Sequence, residues 1–338
     1  GRRVGAERVR LSLGAAMGAP SDGEGVLRLA FNRSRWSPEG EESGREFTFL
    51  LSCLTADEAD KVMRFKFFAD KQRALVSRLL QRKCVELCLG MGWGSIQIKR
   101  TKGKKPFVAN ANSGGKQARG MPNFNYNVSH EGDYIVLASE PVCIVGVDVA
   151  APGQSRRNNV FSLDKVFSSF KDQLTEVEWT NIRCFGDEKS QEDAFRRNWS
   201  CKEAFTKARG DGIGFTLQRC EFIIEEAAKE ALPFTHSATV HVDGKALTDW
   251  TFFLQPLGDH WVTVARGPPR DIVDAFGEFT KTLQKRSFST GEWEREIQSG
   301  QPGFAVVGIR YPRDSLLSKC SLSPFPFALR SEKTRRLS

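Results

Sequence analysis

The chain has 338 residues, 40% hydrophobic and 27% charged, enough for two domains of about 150 residues each. No apolar run reaches the roughly 18 residues of a membrane-crossing helix, which argues against a membrane span. The formal charge of +9 sits mostly at the ends, with +3 in residues 1–20 and +5 in 310–338, so the body offers no charge argument for nucleic-acid binding.

Residues 1–25 read as irregular. The first sixteen carry Arg, small residues and one acid. They fit either part of an organelle transit segment or residues ahead of a start at Met17. Val26–Phe31 reads as a strand, 34–44 as a loop and Phe47–Leu54 as a second apolar run. Thr55 followed by Asp57 and Glu58 has the pattern of a helix start, and a helical segment in two pieces reaches Cys88. Ile96–Arg100 alternates like a strand, 103–106 is a turn, and 110–120 is a polar, Gly-rich loop. Phe124–Ser129 and Tyr134–Ala138 read as paired strands, and Val142–Val149 as a buried strand.

In the second half Val166–Phe170, Thr175–Phe185 and Gln191–Arg209 read as helices, with Thr175 as an N-cap. Phe222–Ile224, Ala238–Val242, Trp250–Gln255 and Trp261–Ala265 read as strands. From Gly267 onward Pro, Gly, Ser and charge increase, leaving one short helix at Asp271–Gln284. The eight cysteines form no C-x-x-C pair and read as buried free thiols in a reducing compartment.

Four segments carry chemistry. In Val145-Gly146-Val147-Asp148-Val149, strand alternation puts Gly146 and Asp148 on one face and the valines on the other. A buried acid is costly unless it is paired or bound to a cation, and a paired edge residue is the plainer alternative. In Trp199–Lys207, a helix aligns Arg196, Ser200, Glu203 and Lys207 on one stripe bordered by Trp199; an exposed Glu203–Lys207 pair is the alternative. Asn123–Tyr134 gathers Asn127, Ser129 and His130 at a strand end, where His130 also has a structural reading. Lys99–Pro106 is a basic turn, either solvated or holding phosphate. Gly210–Gly214 follows a helix rather than a strand, so it is a helix end and not a dinucleotide loop. Two carboxylates suit Mg²⁺ and the basic groups suit phosphates, a set that fits phosphoryl transfer.

In order and wording, Arg100–Pro106, Pro122–His130, Gly146-Val147-Asp148 and Trp199–Lys207 resemble the surfactin-synthetase-type 4′-phosphopantetheinyl transferases. Within that family the chain resembles the eukaryotic aminoadipate-semialdehyde dehydrogenase-phosphopantetheinyl transferases. The resemblance covers roughly 26–265. It implies an α+β fold of two similar α/β subdomains related by a pseudo-two-fold, with coenzyme A bound between them. By motif match, Asp148 and Glu203 hold Mg²⁺, Lys207 contacts phosphate, and His130 and Arg100 contact the 3′-phosphoadenosine end. Ser129, Asn127 and Lys61 are weaker cofactor contacts. Many bacterial members carry a second strand acid where this chain has Ala150. Glu131, next to a Gly turn, is a candidate to complete the metal shell.

The expected divisions are an irregular segment over 1–25, subdomains over 26–147 and 148–266, and a largely disordered basic tail over 267–338. The expected reaction is Mg²⁺-dependent transfer of 4′-phosphopantetheine from coenzyme A to a serine of an acyl or peptidyl carrier protein. Glu203 and Lys207 are its catalytic residues. The protein is expected to be a monomer without nucleic-acid or membrane partners, in the cytosol or else in a mitochondrion or other organelle. The rival reading is a non-catalytic RNA- or membrane-binding protein using its basic ends.

Overall fold

The structure, a computed structural model, describes residues 10–13, 25–111, 120–153, 162–227, 233–299 and 301–310. The expectations for most of 1–25, for the Gly-rich loop over 112–119 and for 311–338 lie outside the described residues. The first half contains β1 (Arg10–Leu13), β2 (Leu27–Asn32), α1 (Arg45–Ser52), α2 (Ala56–Met63) and α3 (Phe68–Leu89). The ribbon β3 (Ile98–Arg100) and β4 (Pro106–Val108) follows, then the hairpin β5 (Asn125–Glu131) and β6 (Tyr134–Glu140). The second half runs β7 (Ile144–Ala150), α4 (Leu163–Phe170), α5 (Glu176–Arg183), α6 (Glu188–Arg209), β8 (Cys220–Glu226) and β9 (His236–Val242). It continues through β10 (Lys245–Ala246), β11 (Thr251–Leu257) and β12 (His260–Gly267); α7 (Thr290–Ile297) and β13 (Ala305–Arg310) come last.

Local sequence sets the helices. Thr55 and Thr175 each close a capping box, with Glu58 and Glu178, and each opens a helix of 8 residues. A helix of 22 residues follows in both halves and stops at a glycine in the left-handed conformation, Gly90 or Gly210. The apolar run at Phe47–Leu54 is mostly helix α1, whose Phe47 and Leu50 are buried.

The strands form a five-stranded sheet, β1-β13-β2-β6-β5, and a six-stranded sheet, β10-β9-β11-β12-β7 with β8 paired to β9. Alternation gives the first sheet two apolar faces. Leu27, Leu29, Phe31, Ile135 and Leu137 pack with Leu75 and Leu79 of α3. Ala30, Val136 and Ala138 pack instead with Val145, Val147, Val149, Val262 and Val264 of the second sheet. The other face of the second sheet packs on Cys201, Ala204, Phe205 and Ala208 of α6. Full burial of one Val, Leu, Ile or Phe side chain in these layers contributes about 1.5–3 kcal/mol.

Three expectations are corrected. The boundary at 147/148 falls inside β7, which pairs along its whole length with β12 and so belongs to the second sheet. The chain from 267 is folded through Arg310, apart from residue 300, which lies outside the described residues. Phe279, Leu283, Trp293, Ile297, Phe304 and Val307 are buried, and β13 joins the first sheet parallel to β2. These anchors are irregularly spaced among polar residues, so no periodic signal reveals them. The helix over Asp271–Gln284 is absent; two 3₁₀ turns, Pro269–Asp271 and Thr280–Thr282, stand there.

Candidate active site

β7 and α6 lie against each other because Gly146 lets them. A Cβ at Gly146 would stand 1.9 Å from the Ala204 carbonyl oxygen and 2.5 Å from the Ala208 nitrogen. Asp148, on the same face of β7, is buried at 5% exposure. Its Oδ1 accepts from the Lys207 ammonium at 2.5 Å and from the Ser129 hydroxyl at 2.9 Å. Lys207 Nζ also donates to Ser129 Oγ at 3.1 Å and lies 3.9 Å from Glu203 Oε2. Burial by itself would depress the Lys207 ammonium, but Asp148, Glu203 and, more weakly, Glu131 raise it above the ordinary lysine range. The Glu203 carboxyl is pushed up by burial, against the pull of Lys207 and with added repulsion from Asp148.

The rest of the α6 stripe serves packing. Ser200 shares a 2.6 Å hydrogen bond with Thr263, the residue opposite Asp148 on β12, and Arg196 donates to the Asp259 carbonyl at 2.5 Å. Only Glu203 and Lys207 of that stripe reach the Asp148 group.

Alternate residues of β5 form a ladder onto the free edge of β7. Asn125 Oδ1 accepts from Val145 N–H at 3.0 Å, and Asn127 Oδ1 from Val147 N–H at 3.1 Å. Ser129 Oγ accepts from Val149 N–H at 3.4 Å, and Glu131 Oε2 from Ala151 N–H at 2.9 Å. Side chains therefore join the two sheets where main-chain pairing stops. The acceptor oxygens of Asn127 and Ser129 point into this seam. The turn after Glu131 is fixed from both sides: Arg73 donates twice to the Gly132 carbonyl at 2.9 and 2.8 Å, and His260 Nε2 accepts from Asp133 N–H at 3.2 Å. His130 faces the other way, exposed. Its imidazole is held below the usual histidine range by the protein around it first, then by the charges of Lys207 and Arg73.

Two candidates stand outside this group. Arg100 is exposed and donates to the Lys104 carbonyl at 3.0 Å. Its charge, after burial, lowers the pKa of Arg78 on α3. Lys61 is exposed on α2 and pairs with Asp57 at 2.7 Å.

The family model described as 4′-phosphopantetheinyl transferase, N-terminal, matches residues 34–142, and that of the 4′-phosphopantetheinyl transferase superfamily matches 144–265. The L-aminoadipate-semialdehyde dehydrogenase-phosphopantetheinyl transferase of Homo sapiens is 36% identical over 247 residues, 73% of this chain and 76% of the relative. The phosphopantetheinyl transferase of a Thraustochytrium species is 35% identical over 246 residues, covering 71% and 78%. The 4′-phosphopantetheinyl transferase of Bacillus subtilis is 24% identical over 170 residues, covering 50% and 65%. The chain belongs to the 4′-phosphopantetheinyl transferase superfamily. It is a transferase that modifies carrier proteins with phosphopantetheine, and the RNA- or membrane-binding rival finds no support. Among the described residues no helix is long and apolar enough to cross a membrane.

Sequence reasoning missed several residues of the transferase. Lys202, inside the Trp199–Lys207 motif, is fully buried against Glu178 at 2.8 Å and donates to the Leu217 carbonyl at 2.9 Å. Lys105 is also buried and ties the halves together. Neither burial was readable, because Lys105 lies in a basic run, Lys202 stands beside an acid, and the partners of both are distant in sequence. Among the described residues, Glu140, Cys143 and Glu296 bring three donor atoms within 4.8 Å of one another. This group does not suit a cation. Glu140 pairs with Arg28 and Arg266, all three fully buried, and Arg266 also pairs with Glu296. Two guanidiniums already neutralise these acids and would repel a metal.

Proposed function

We propose that the transfer takes place at the Asp148–Glu203–Lys207 group, with coenzyme A as donor and a carrier-protein serine as acceptor. The observation that carries this reading is the convergence of Asp148 from β7 with Lys207 and Glu203 from α6 at the seam between the sheets. We read the two halves as related by a pseudo-two-fold, with the cofactor bound between them. The repeated order of a capped short helix and a 22-residue helix supports that reading, as does the matching pairing of β2 with β6 and of β7 with β12.

The donor set fits Mg²⁺. Asp148, Glu203 and Glu131 are oxygen donors around one ammonium, Lys207, an arrangement that leaves an excess of two negative charges for a cation to balance. Asp148 takes both of its hydrogen bonds on Oδ1, leaving Oδ2 for a cation. Asp148 and Glu203 would hold the ion. Glu131, reaching over from β5, would stand in for the acid missing at Ala150, directly or through water. When bound, the ion would offset charge on the cofactor pyrophosphate.

The residues divide the remaining work. The serine oxygen attacks the β-phosphorus of coenzyme A. The bond from that phosphorus to the bridging oxygen breaks, and adenosine 3′,5′-bisphosphate leaves. Glu203, whose carboxyl is raised, accepts the serine proton. Lys207, held cationic, stabilises the departing phosphate. His130 and Arg100, exposed and not used by the seam, would meet the 3′-phosphoadenosine end, with Lys61 a further phosphate contact. Asn127 and Ser129 serve the site by holding β7, and Ser129 also by fixing Lys207. The acceptor is an acyl or peptidyl carrier protein, the working unit a monomer, and the compartment the cytosol or, failing that, an organelle.

The test is incubation with coenzyme A, Mg²⁺ and a panel of apo-carriers, read by intact mass. The expected result is the added mass of one phosphopantetheine. Asp148→Ala and Glu203→Gln should each lose about a hundredfold or more in rate while melting near the parent. Near-normal transfer by either folded variant at low Mg²⁺ would put the chemistry elsewhere.

A further inference from the structure

The basic turn between β3 and β4 reaches from the first half into the second. Thr101 and Lys105 close it through main-chain and side-chain bonds of 2.9 and 3.1 Å. Gly103 sits at its tip, where a Cβ would lie 1.9 Å from the Gly210 carbonyl oxygen, just past the end of α6. Lys105 then runs inward and is only 2% exposed. Its Nζ donates to the Val145 carbonyl of β7 at 2.6 Å and, at a longer 3.4 Å, to the Lys207 carbonyl of α6. The Phe279 ring closes the far side, its centroid 5.7 Å from Nζ. Among the described residues no carboxylate pairs with it.

A helix leaves its last four carbonyls without partners inside the helix. In α6, residues beyond the helix supply partners for three of them. Gly210 and Asp211 N–H donate to the Thr206 carbonyl at 2.8 and 3.2 Å, Lys105 reaches the Lys207 carbonyl, and Val273 N–H donates to the Arg209 carbonyl at 2.8 Å. The last turn of α6, which carries Lys207, is therefore located by contacts from outside the helix.

We propose that Lys105 is a positioning residue for the transfer reaction. Its amino group ties β7, which brings Asp148, to the last turn of α6, which brings Lys207. The inference rests on Asp148 and Lys207 being the transfer machinery. In this role the Lys105 amino group is spent on the two carbonyls and sets the spacing and rotation of the elements that carry Asp148 and Lys207. A displacement of about 1 Å in such a group can cost roughly a hundredfold in rate. Burial lowers the Lys105 amino group to about 7, and both its charge forms carry N–H donors, so the tie needs the donor rather than the charge.

The experiment compares Lys105→Met, which keeps length and bulk but has no donor, with Lys105→Gln, which keeps an N–H on a shorter arm. Both are measured by steady-state transfer to one apo-carrier and by melting. Lys207→Met is run in parallel. In folded Lys105→Met, kcat should fall about tenfold or more while KM for coenzyme A stays within about threefold, and Lys105→Gln should recover part of the loss. Four results overturn the proposal: wild-type kcat in folded Lys105→Met; a rise in KM as large as the fall in kcat, which would make Lys105 a ligand contact; a Gln variant no better than Met; or variants recovered only unfolded, which would make the residue's role stability alone. If Met does not fold, a lowered kcat with unchanged KM in folded Lys105→Gln carries the test, and wild-type kcat there defeats it. Full activity in Lys207→Met would instead defeat the site reading itself.

Discussion

Burial pushes the Lys105 amino group down to about 7, from 10.5 for a solvated lysine. Between those values the unfolded chain binds a proton at this position that the folded chain does not. Stability from this group therefore rises with pH across that window, and is lowest where both forms are charged. Lys105→Met has no such proton to lose. From about pH 7 to about pH 9 the parent should gain on the order of 2 kcal/mol relative to the variant in urea unfolding. Parallel stability curves for the two proteins would mean that the amine is solvated or paired. At this scale the sequence was informative about residue type and poor about direction. Asp148, Glu203 and Lys207 stand out as an acid in a valine strand and a spaced acid–base pair on a helix, and they meet. Asn127 carries the same polar signal, yet its oxygen turns to Val147 N–H, because a strand edge with no neighbour must find acceptors.

Helices and strands here are held by ion pairs that no helical pattern announces. Glu178 first closes the box at the start of α5 and then accepts from Phe222 N–H of β8 at 2.8 Å. Lys202 of α6, its partner, donates to the Cys220 carbonyl of β8 at 2.5 Å. One fully buried pair thus serves α5, α6 and the outer edge of β8. Removing Glu178 leaves a buried ammonium without compensation, so Glu178→Ala should cost about 3–5 kcal/mol. Replacing both residues together, Glu178→Met with Lys202→Met, should cost less than Glu178→Ala. Chemical denaturation checks both, and a single-variant loss under about 1 kcal/mol would show that water reaches the pair. The capping boxes themselves were readable, since Thr55 and Thr175 need only a glutamate three residues on. That Glu178 has a second task was not, because Phe222 and Lys202 come to it only when the second sheet packs.

At the scale of the molecule, the segment after β12 returns to the first half. Asn123 and Lys285 exchange bonds, with Lys285 N–H donating to Asn123 Oδ1 at 2.9 Å, and Gln284 N–H donates to the Pro122 carbonyl at 2.9 Å. Arg266 is held by the Ile297 and Glu296 carbonyls of α7 at 3.3 and 3.2 Å, and β13 fills the sheet position between β1 and β2. Ending the chain after Gly267 strips these contacts and exposes the edge of β2. Such a chain should melt roughly 10 °C or more below the parent, or aggregate, whereas one ending after Arg310 should melt within a few degrees of it. Equal melting of the two truncations would show that the returning segment is dispensable for stability.

The sequence alone determined what local physics controls. Glycines past the helix ends, threonine caps, valine alternation in β7 and the ordered motifs were enough for the α+β class, the transferase family and the central acid–lysine group. Those signals act over a few residues, so a linear reading captures them. Only the tertiary structure decided which polar side chains stay exposed and which fill the seam, that β7 belongs whole to the second sheet, and that the described residues of 267–310 are folded. Each of these depends on a partner far along the chain: Val145 for Asn125, Thr263 for Asp148, Leu29 for Ala305. Burial turns such distant pairs into requirements, because a polar group shut away from water must be matched wherever in the chain its match lies.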